Sequence, residues 1–335
     1  MTERIRWGIL STGHIASVLT EDLGLLIDEA AVVAVASRDQ AKADAYAREW
    51  KIPRAYASYA ELAADEDVDV VYVASPHHDH LPSSKLLLES GKAVLCEKPM
   101  TVSAQQTGEL VDLAANRTLF LMEAMWMRTN PVIRKAAELV ASGDLGPVRH
   151  VRTQFGFRFD GEPSHRLVNP DLAGGGILDL GVYPMHAVNL FLGEPSQVQA
   201  AGSTGPTGVD TNSTALLAFA ASDSRPAATA TVHCTLESNL VPRLEILCAD
   251  GWIDVDNFIR SERMTVHRRG ADQPEEFVTQ LPGNGYTLQL QEVMRCMRAG
   301  EIESPLVPWQ SSLEVARTLD AWLAGVHACA AAAAR

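Results

Sequence analysis

The chain has few cysteines and few basic residues for its length. Only five cysteines occur among 335 residues, and no two of them form a C-x-x-C pair. This odd and scattered set argues against a disulfide framework and against a zinc site. We therefore expect reduced thiols and a cytoplasmic protein.

Positive charge is scarce as well. The 28 Lys and Arg residues against 42 Asp and Glu residues leave a formal net charge of -14, and a surface of that sign repels nucleic acid and anionic lipid. The sequence shows no apolar leader and no run near the ~20 apolar residues that cross a bilayer. We expect neither a nucleic-acid partner nor a membrane partner.

The first 122 residues alternate short apolar runs with longer helical patterns, as βαβ units around a parallel sheet do. The runs are almost wholly apolar, which is typical of strands covered on both faces. They span residues 5–10, 31–36, 68–74, 93–97 and 119–122. We predict an α/β protein whose residues 1–122 form a Rossmann domain with a doubly wound parallel sheet.

Residues 123–335 have a different pattern. Predicted strands at 198–203, 213–220, 228–236, 243–249 and 252–255 run apolar or alternate, and Asp250-Gly251 is a hairpin signal. We predict a second, α+β domain with a large, mainly antiparallel sheet. The last helix is a candidate to pack back on the first domain.

A glycine-containing turn follows the first predicted strand. The segment Gly8-Ile-Leu-Ser-Thr-Gly-His-Ile-Ala16 is close to the dinucleotide fingerprint, with Ser11 where the first glycine usually stands. Gly13 lets the backbone approach a pyrophosphate, and the following helix presents its amides to the anion. The predicted cofactor contacts here are Ser11, Thr12, Gly13, His14 and Ile15.

The second strand ends in Ser37-Arg38, where an acidic residue would bind the ribose of NAD. Serine leaves room for a 2'-phosphate, and arginine pairs with phosphate in bidentate fashion. Asp39 next to them weakens this argument. We predict NADP(H) as the preferred cofactor, with NAD(H) as the alternative.

Two further segments of the first domain are expected beside the cofactor. Glu97-Lys98-Pro99 leaves a strand at the carboxyl edge of the sheet, where open α/β folds bind ligands. Lys98 at this position can hold a substrate hydroxyl and support proton transfer. The histidine-rich loop contributes Ser75, Pro76, His77 and His80 as predicted cofactor contacts. Its adjacent histidines cannot easily converge on one ion, so we predict no metal site.

The most informative stretch of the second half runs from Gly174 to His186. If it is helical, Asp179, Tyr183 and His186 fall on one face of an otherwise apolar element, although Pro184 interrupts the backbone hydrogen bonding. A tyrosine whose pKa is lowered from ~10 by a nearby lysine can exchange a proton with substrate. The alternative is a core helix with satisfied polar groups.

Together these segments resemble the glucose-fructose oxidoreductase and inositol dehydrogenase family (Gfo/Idh/MocA), over essentially the whole chain. The residues that carry the resemblance are GILSTGHIA, SPHHDHLPSSKLLLESGKAVLCEKP and DLAGGGILDLGVYP. EAMWMR and the last of these look most like the branch of dihydrodiol and NADP-dependent xylose dehydrogenases.

The resemblance implies hydride transfer between a nicotinamide and a sugar, cyclic polyol or trans-diol. It implies that Tyr183 is the proton donor and acceptor, that Lys98 supports it and that Asp179 positions the pair. Trp126, Arg128 and His186 are expected near the substrate. It also implies a homodimer or homotetramer built on the open sheet.

Two other functions stay open from the sequence. An enzyme that never releases its cofactor could use a transient oxidation for glycoside cleavage or elimination. A non-catalytic NADPH-binding regulator would need neither Lys98 nor Tyr183, and the presence of both favours catalysis.

Overall fold

The computed structural model describes residues 4–222 and 225–333. They form two compact units. The first comprises the described residues up to Thr101, with Gln105–Trp126 and Pro282–Trp309. The second comprises Val102–Ala104, the described part of Met127–Leu281, and the residues from Gln310 onward.

The first unit is built on a six-stranded sheet with strand order β3-β2-β1-β4-β5-β6, in which every pairing is parallel. The central strands are buried along almost their whole length, because helices cover both faces of such sheets. The strands are β1 (Ile5–Leu10), β2 (Ala30–Ala36), β3 (Arg54–Tyr56), β4 (Val70–Val73), β5 (Ala93–Cys96) and β6 (Leu121–Glu123). The predicted Rossmann sheet is confirmed.

Short connections place a helix after most of these strands. The helices up to residue 117 are α1 (His14–Leu23), α2 (Gln40–Trp50), α3 (Tyr59–Ala64), α4 (His80–Glu89) and α5 (Ala104–Arg117). Local sequence explains their starts: Asp39 accepts the amides of Ala41 and Lys42 ahead of α2, and Ser58 accepts the Glu61 amide ahead of α3.

A segment from the far end of the chain completes the first unit. Its helix α8 (Thr287–Ala299) is capped by Asp22 of α1, which accepts the amides of Tyr286 at 2.8 Å and Thr287 at 3.2 Å. Residues from Gln310 onward, which make up nearly all of the last helix, α9 (Trp309–Ala333), belong to the second unit, and packing of that helix on the first domain stays a prediction.

The second unit contains an eight-stranded sheet with strand order β14-β13-β12-β11-β7-β10-β9-β8. All its pairings are antiparallel except that of β10 with β7, so the predicted mainly antiparallel sheet is confirmed. The strands are β7 (Val148–Gly156), β8 (Gln197–Thr204), β9 (Asp210–Phe219), β10 (Ala228–Thr235), β11 (Leu240–Cys248), β12 (Gly251–Asp256), β13 (Arg263–Arg268) and β14 (Glu275–Val278).

Two helices lie near this sheet along the chain: one comes before β7, and the other comes between β7 and β8. Helix α6 (Pro131–Ser142) begins with proline, which suits a first helical position, and ends at Gly143 in a left-handed conformation. Helix α7 (Val182–Leu192) follows a π-helical turn at Ile177–Gly181 and packs on β7 and β10. Among the described residues, no helix is long and apolar enough to cross a membrane.

Candidate functional site

The turn after β1 has the backbone of an anion-binding site. Ser11 adopts a left-handed conformation with φ of +84°, and its amide donates to the Ala36 carbonyl at 2.9 Å. Gly13 precedes α1 in an extended conformation, and no side chain caps that helix. A Cβ at Gly13 would meet nothing within 4 Å, so the amides of the first turn open onto free space. Thr12, His14 and Ile15 belong to the same turn.

These observations fit a dinucleotide. A pyrophosphate needs uncapped helix amides and a residue without a side chain at the point of approach, and α1 with Gly13 offers both. The departure at Ser11 costs about 1 kcal/mol for a left-handed residue that is not glycine, and it leaves the turn intact.

The end of β2 leaves Arg38 available at the surface. Asp39, the acidic neighbour, uses its carboxylate to cap α2 by accepting the Ala41 amide at 2.9 Å. The Ser37 hydroxyl accepts the Asp39 amide at 3.3 Å. The acidic group that weakened the case for NADP is therefore engaged locally, and the exposed guanidinium of Arg38 stays at the carboxyl edge of the sheet.

Sequence analysis missed Tyr59 at this edge. Burial, followed by the charge of Asp79, raises the pKa of Tyr59, against the opposing effects of Arg38 and Ser11. Tyr59 thus lies by both segments assigned to the cofactor. No spacing in the sequence signals this, because Tyr59 reads as an ordinary first residue of a helix.

The histidine-rich loop forms a short 3-10 turn, His77–Asp79, that leads into α4. His77 is nearly buried and packs edge-on against His80, with ring centroids 5.6 Å apart. Ser75 is buried as well, and Pro76 begins the turn. Within residues 4–222 and 225–333, no three His, Cys, Asp or Glu side chains gather as metal ligands would.

His80 is fully buried, and both of its ring nitrogens lie close to backbone carbonyls of neighbouring loops. Its Nδ1 lies 2.8 Å from the Pro99 carbonyl and its Nε2 lies 2.8 Å from the Ser75 carbonyl. Burial, followed by the charge of His77, lowers the pKa of His80 to about 3. The ring is therefore neutral at pH 7 and ties the loop after β4 to the loop after β5.

The segment after β5 is held by buried carboxylates. Tyr72 of β4 hydrogen-bonds to the Glu97 carboxylate, whose second oxygen accepts the Lys98 amide at 3.2 Å. Glu123, at the end of β6, accepts the Met100 amide at 3.0 Å. The Lys98–Pro99 bond is cis. These hydrogen bonds fix the backbone on both sides of Lys98. The residue itself is only half-buried, so its side chain has access to the carboxyl edge.

The glycine-rich turn leads into the helical run that carries three candidate groups of the second unit. Asp179 lies in the π-helical turn, and Tyr183 and His186 lie in α7. All three are buried, His186 completely. Arg166, which the sequence did not single out, donates to Asp179 at 2.9 Å. The Tyr183 ring packs edge-on against Phe155, with centroids 5.9 Å apart.

The three residues expected near the substrate differ in their surroundings. Trp126 stacks on Tyr286 at a centroid distance of 4.6 Å, both in the first unit. Arg128 is buried, and its guanidinium donates to the His186 carbonyl at 3.2 Å and to Asn189 at 2.8 Å. Arg128 therefore braces α7 from the short 3-10 helix Trp126–Thr129.

Comparison with known proteins places this geometry in a family. Residues 5–125 match the model "Oxidoreductase family, NAD-binding Rossmann fold" of GFO_IDH_MocA, and residues 133–254 match the "GFO/IDH/MocA C-terminal domain". The chain belongs to the GFO/IDH/MocA oxidoreductase family, as its motifs predicted, and its first unit is an NAD-binding Rossmann domain.

Individual relatives cover nearly the whole chain. Mouse trans-1,2-dihydrobenzene-1,2-diol dehydrogenase is 35% identical over 331 residues, covering 94% of this chain and 95% of its own. D-xylose 1-dehydrogenase (NADP(+)) of Hypocrea jecorina is 34% identical over 353 residues, covering 94% and 90%. A 3-ketoreductase from Actinomadura kijaniata, solved with NADP and TDP-benzene, superimposes with a TM-score of 0.83 at 25% identity over 97% and 98%.

Proposed function

We propose that the protein is an NADP(H)-dependent dehydrogenase that interconverts a hydroxyl and a carbonyl group on a sugar, a cyclic polyol or a trans-diol. The observation that carries this is the set of groups at the carboxyl edge of the first sheet. The uncapped α1 amides, the exposed Arg38 and the braced Lys98 each follow a parallel strand of the first sheet. Relatives named for a diol and for D-xylose, at 34–35% identity, support the substrate class.

The cofactor preference rests on the end of β2. Arg38 would pair with a 2'-phosphate, while Ser37 leaves room for it and Asp39 is engaged in capping α2. Tyr59 would pack beside the adenosine half, since Ser11 and Arg38 both lie near enough to its hydroxyl to lower its pKa. The bound nicotinamide would supply or accept the hydride.

The proton would be handled by Tyr183. In reduction its hydroxyl donates to the carbonyl oxygen of the substrate, and in oxidation its oxygen takes the proton of the substrate hydroxyl. The Lys98 ammonium would stabilise negative charge on the Tyr183 oxygen or on the substrate oxygen. Asp179, fixed by Arg166 at 2.9 Å, would orient the substrate hydroxyl. We propose Trp126, Arg128 and His186 as further residues near the substrate.

The test is an activity screen followed by one substitution. The full chain is assayed at the nicotinamide absorbance with aldoses, keto-sugars, inositols and trans-diols, each with both cofactors. Tyr183→Phe should then lower turnover at least tenfold while the Kd for NADPH changes less than twofold, because a proton donor contributes ~10² to 10⁴ in rate. Tyr46→Phe, which removes a buried hydroxyl that hydrogen-bonds to Thr20 between α1 and α2, is the control.

Two results would count against the proposal. Full turnover in Tyr183→Phe removes Tyr183 from the mechanism. Cofactor that copurifies and is never released, with no turnover on any of these substrates, favours redox-assisted cleavage instead.

The assembly we propose is a homodimer through the open face of the second sheet. Cross-strand pairing puts Leu216 and Trp252 on the same face, and they are 46% and 41% exposed. Exposed apolar side chains on one sheet face favour burial in an interface. Sedimentation should give twice the chain mass of 36.2 kDa. The five free cysteines and the acidic surface support the cytoplasm as the location.

A further inference from the structure

Asp210, the first residue of β9, is a buried carboxylate that neither the motif analysis nor the proposed mechanism uses. It is only 2% exposed, and its Oδ2 accepts the Ile177 amide at 2.7 Å. Ile177 is the first residue of the π-helical turn that precedes α7. The carboxylate of one strand therefore binds the amino end of the helical run that carries Asp179 and Tyr183.

The glycine-rich turn is shaped around this carboxylate. Gly175 has a φ of +129°, and a Cβ there would overlap Asp210 Oδ1. A Cβ on Gly176 would lie 3.3 Å from Oδ2. Gly175 is thus needed both for its backbone conformation and for the space that Asp210 fills.

No local side chain does the same work. Gly176 precedes the π-helical turn and Gly181 precedes α7, and neither position has a side-chain cap. The amino end of a helical run carries partial positive charge and unpaired amides, which a carboxylate satisfies best. Asp210 supplies from a distant strand what an N-cap residue usually supplies from the next turn.

We propose that Asp210 is a positioning residue, which in its ionised form holds the glycine-rich turn so that Asp179 and Tyr183 keep their working orientation. This inference rests on the proposed function, because it needs Tyr183 to be the proton-transfer group. It assigns Asp210 no contact with substrate or cofactor.

The electrostatic surroundings give the proposal a pH signature. Burial raises the pKa of Asp210 to about 6, against the opposing effect of the Ile177 amide and the charge of His327 on α9. From β10 the titratable group that faces it is the Cys234 thiol, whose pKa burial raises. On the helical run itself the charged pair is Asp179 with Arg166.

The sign follows from these shifts. A carboxyl whose pKa is higher in the folded than in the unfolded protein stabilises the fold at low pH, and this contribution is lost as pH rises from about 4 through 6. The protein therefore keeps a stability-lowering charge at neutral pH. Turnover should depend on pH in the opposite direction, falling as Asp210 is protonated below pH 6.

The experiment compares Asp210→Asn with the wild type and with Glu237→Gln, a control on a carboxylate that accepts the hydroxyl of Thr211, next to Asp210. We measure kcat, KM, the Kd for NADPH and Tm from pH 5 to pH 8. Asp210→Asn should lower kcat at pH 7.5 at least tenfold, leave the Kd within twofold and give a Tm no lower than the wild type. The wild-type loss of kcat below pH 6 should be absent from the variant. The control should match the wild type.

A merely structural role predicts a lower Tm in Asp210→Asn, and that result, or an unchanged kcat, overturns the inference. If the variant does not fold, the wild-type profile decides, because a kcat that stays level from pH 7 to pH 5 is incompatible with the proposal. His327→Gln should keep the acidic loss of kcat. Tyr183→Phe, run in parallel, separates the failures: full turnover there refutes the proposed function, whereas loss there with normal Asp210→Asn refutes only this inference.

Discussion

Two segments of the molecule hold the groups assigned to catalysis, and they are anchored differently. The segment Glu97–Met100 is fixed by side chains that reach its backbone from β4, β6 and α4: Tyr72 through Glu97, Glu123 and His80. The glycine-rich turn at Gly174–Ile177 is bound by the carboxylate of Asp210, which can approach its backbone because the glycines have no side chains.

The difference concerns where each segment is vulnerable. The first segment is held by several hydrogen bonds, so the loss of one leaves the others in place. The second is also held by backbone hydrogen bonds from Gly174 and Gly175, but its contact with Asp210 leaves no room for an added side chain at Gly175. Both use a buried carboxylate to satisfy backbone amides, which is a stronger bond than one between neutral groups.

The largest effect should come from Gly175→Ala. The new Cβ would overlap Asp210, and the residue would have to keep a φ of +129°, which alanine rarely adopts. Backbone strain and overpacking together should cost on the order of 3 kcal/mol, measured by thermal or denaturant unfolding. Gly193→Ala is the matched control, because Gly193 also has positive φ but open space around it. Equal losses in the two variants would contradict the close-approach argument.

A smaller effect is expected from Glu123→Gln. The amide keeps an acceptor for the Met100 N–H but loses the charge, so the bond weakens by about 1–2 kcal/mol. Because Lys98 lies two residues from that bond, kcat should fall about fivefold to tenfold, while Tyr72 and His80 still hold the segment. Glu109→Gln, which removes a surface partner of Lys85, should leave kcat unchanged. A loss above a thousandfold would mean that this segment depends on one contact.

The smallest effect concerns pH and His80. A histidine whose pKa falls to about 3 on folding contributes stability above pH 6.5, and this contribution is lost as pH falls. Between pH 7 and pH 5.5 the loss should be about 1 kcal/mol, from the unfolded pKa of ~6.5. His80→Asn should lack this slope, and the exposed His78→Asn should retain it. The slope is opposite in sign to the one expected for Asp210, and slopes of the same sign would remove the contrast.

The sequence predicted what local patterns encode. The strand, turn and helix around Gly13, the strand before Lys98 and the helix bearing Tyr183 were all visible as apolar runs with turn residues. The first sheet and the antiparallel character of the second are confirmed. Pro184 interrupts the pattern, and the structure shows a π-helical turn just before it that the spacing did not predict.

The sequence missed parts of the structure for two reasons. Strand β3 has only three residues, too few for a periodic pattern. Asp210, Glu123 and Tyr59 each act on a segment 20 or more residues away, and nothing in their own neighbourhood marks them. Partners of that kind become visible only when the strands are paired.

The capping of α8 by Asp22 has a consequence for how the protein is made. A nascent chain that has emerged only to Trp126 already contains all six strands of the first sheet, but it lacks Pro282–Trp309. Until that segment leaves the ribosome, the carboxylate of Asp22 has no amides of α8 to bind, and the surface of α1 that α8 covers stays exposed to solvent. The nucleotide-binding unit begins before the second unit along this chain, and it is among the last parts to be completed.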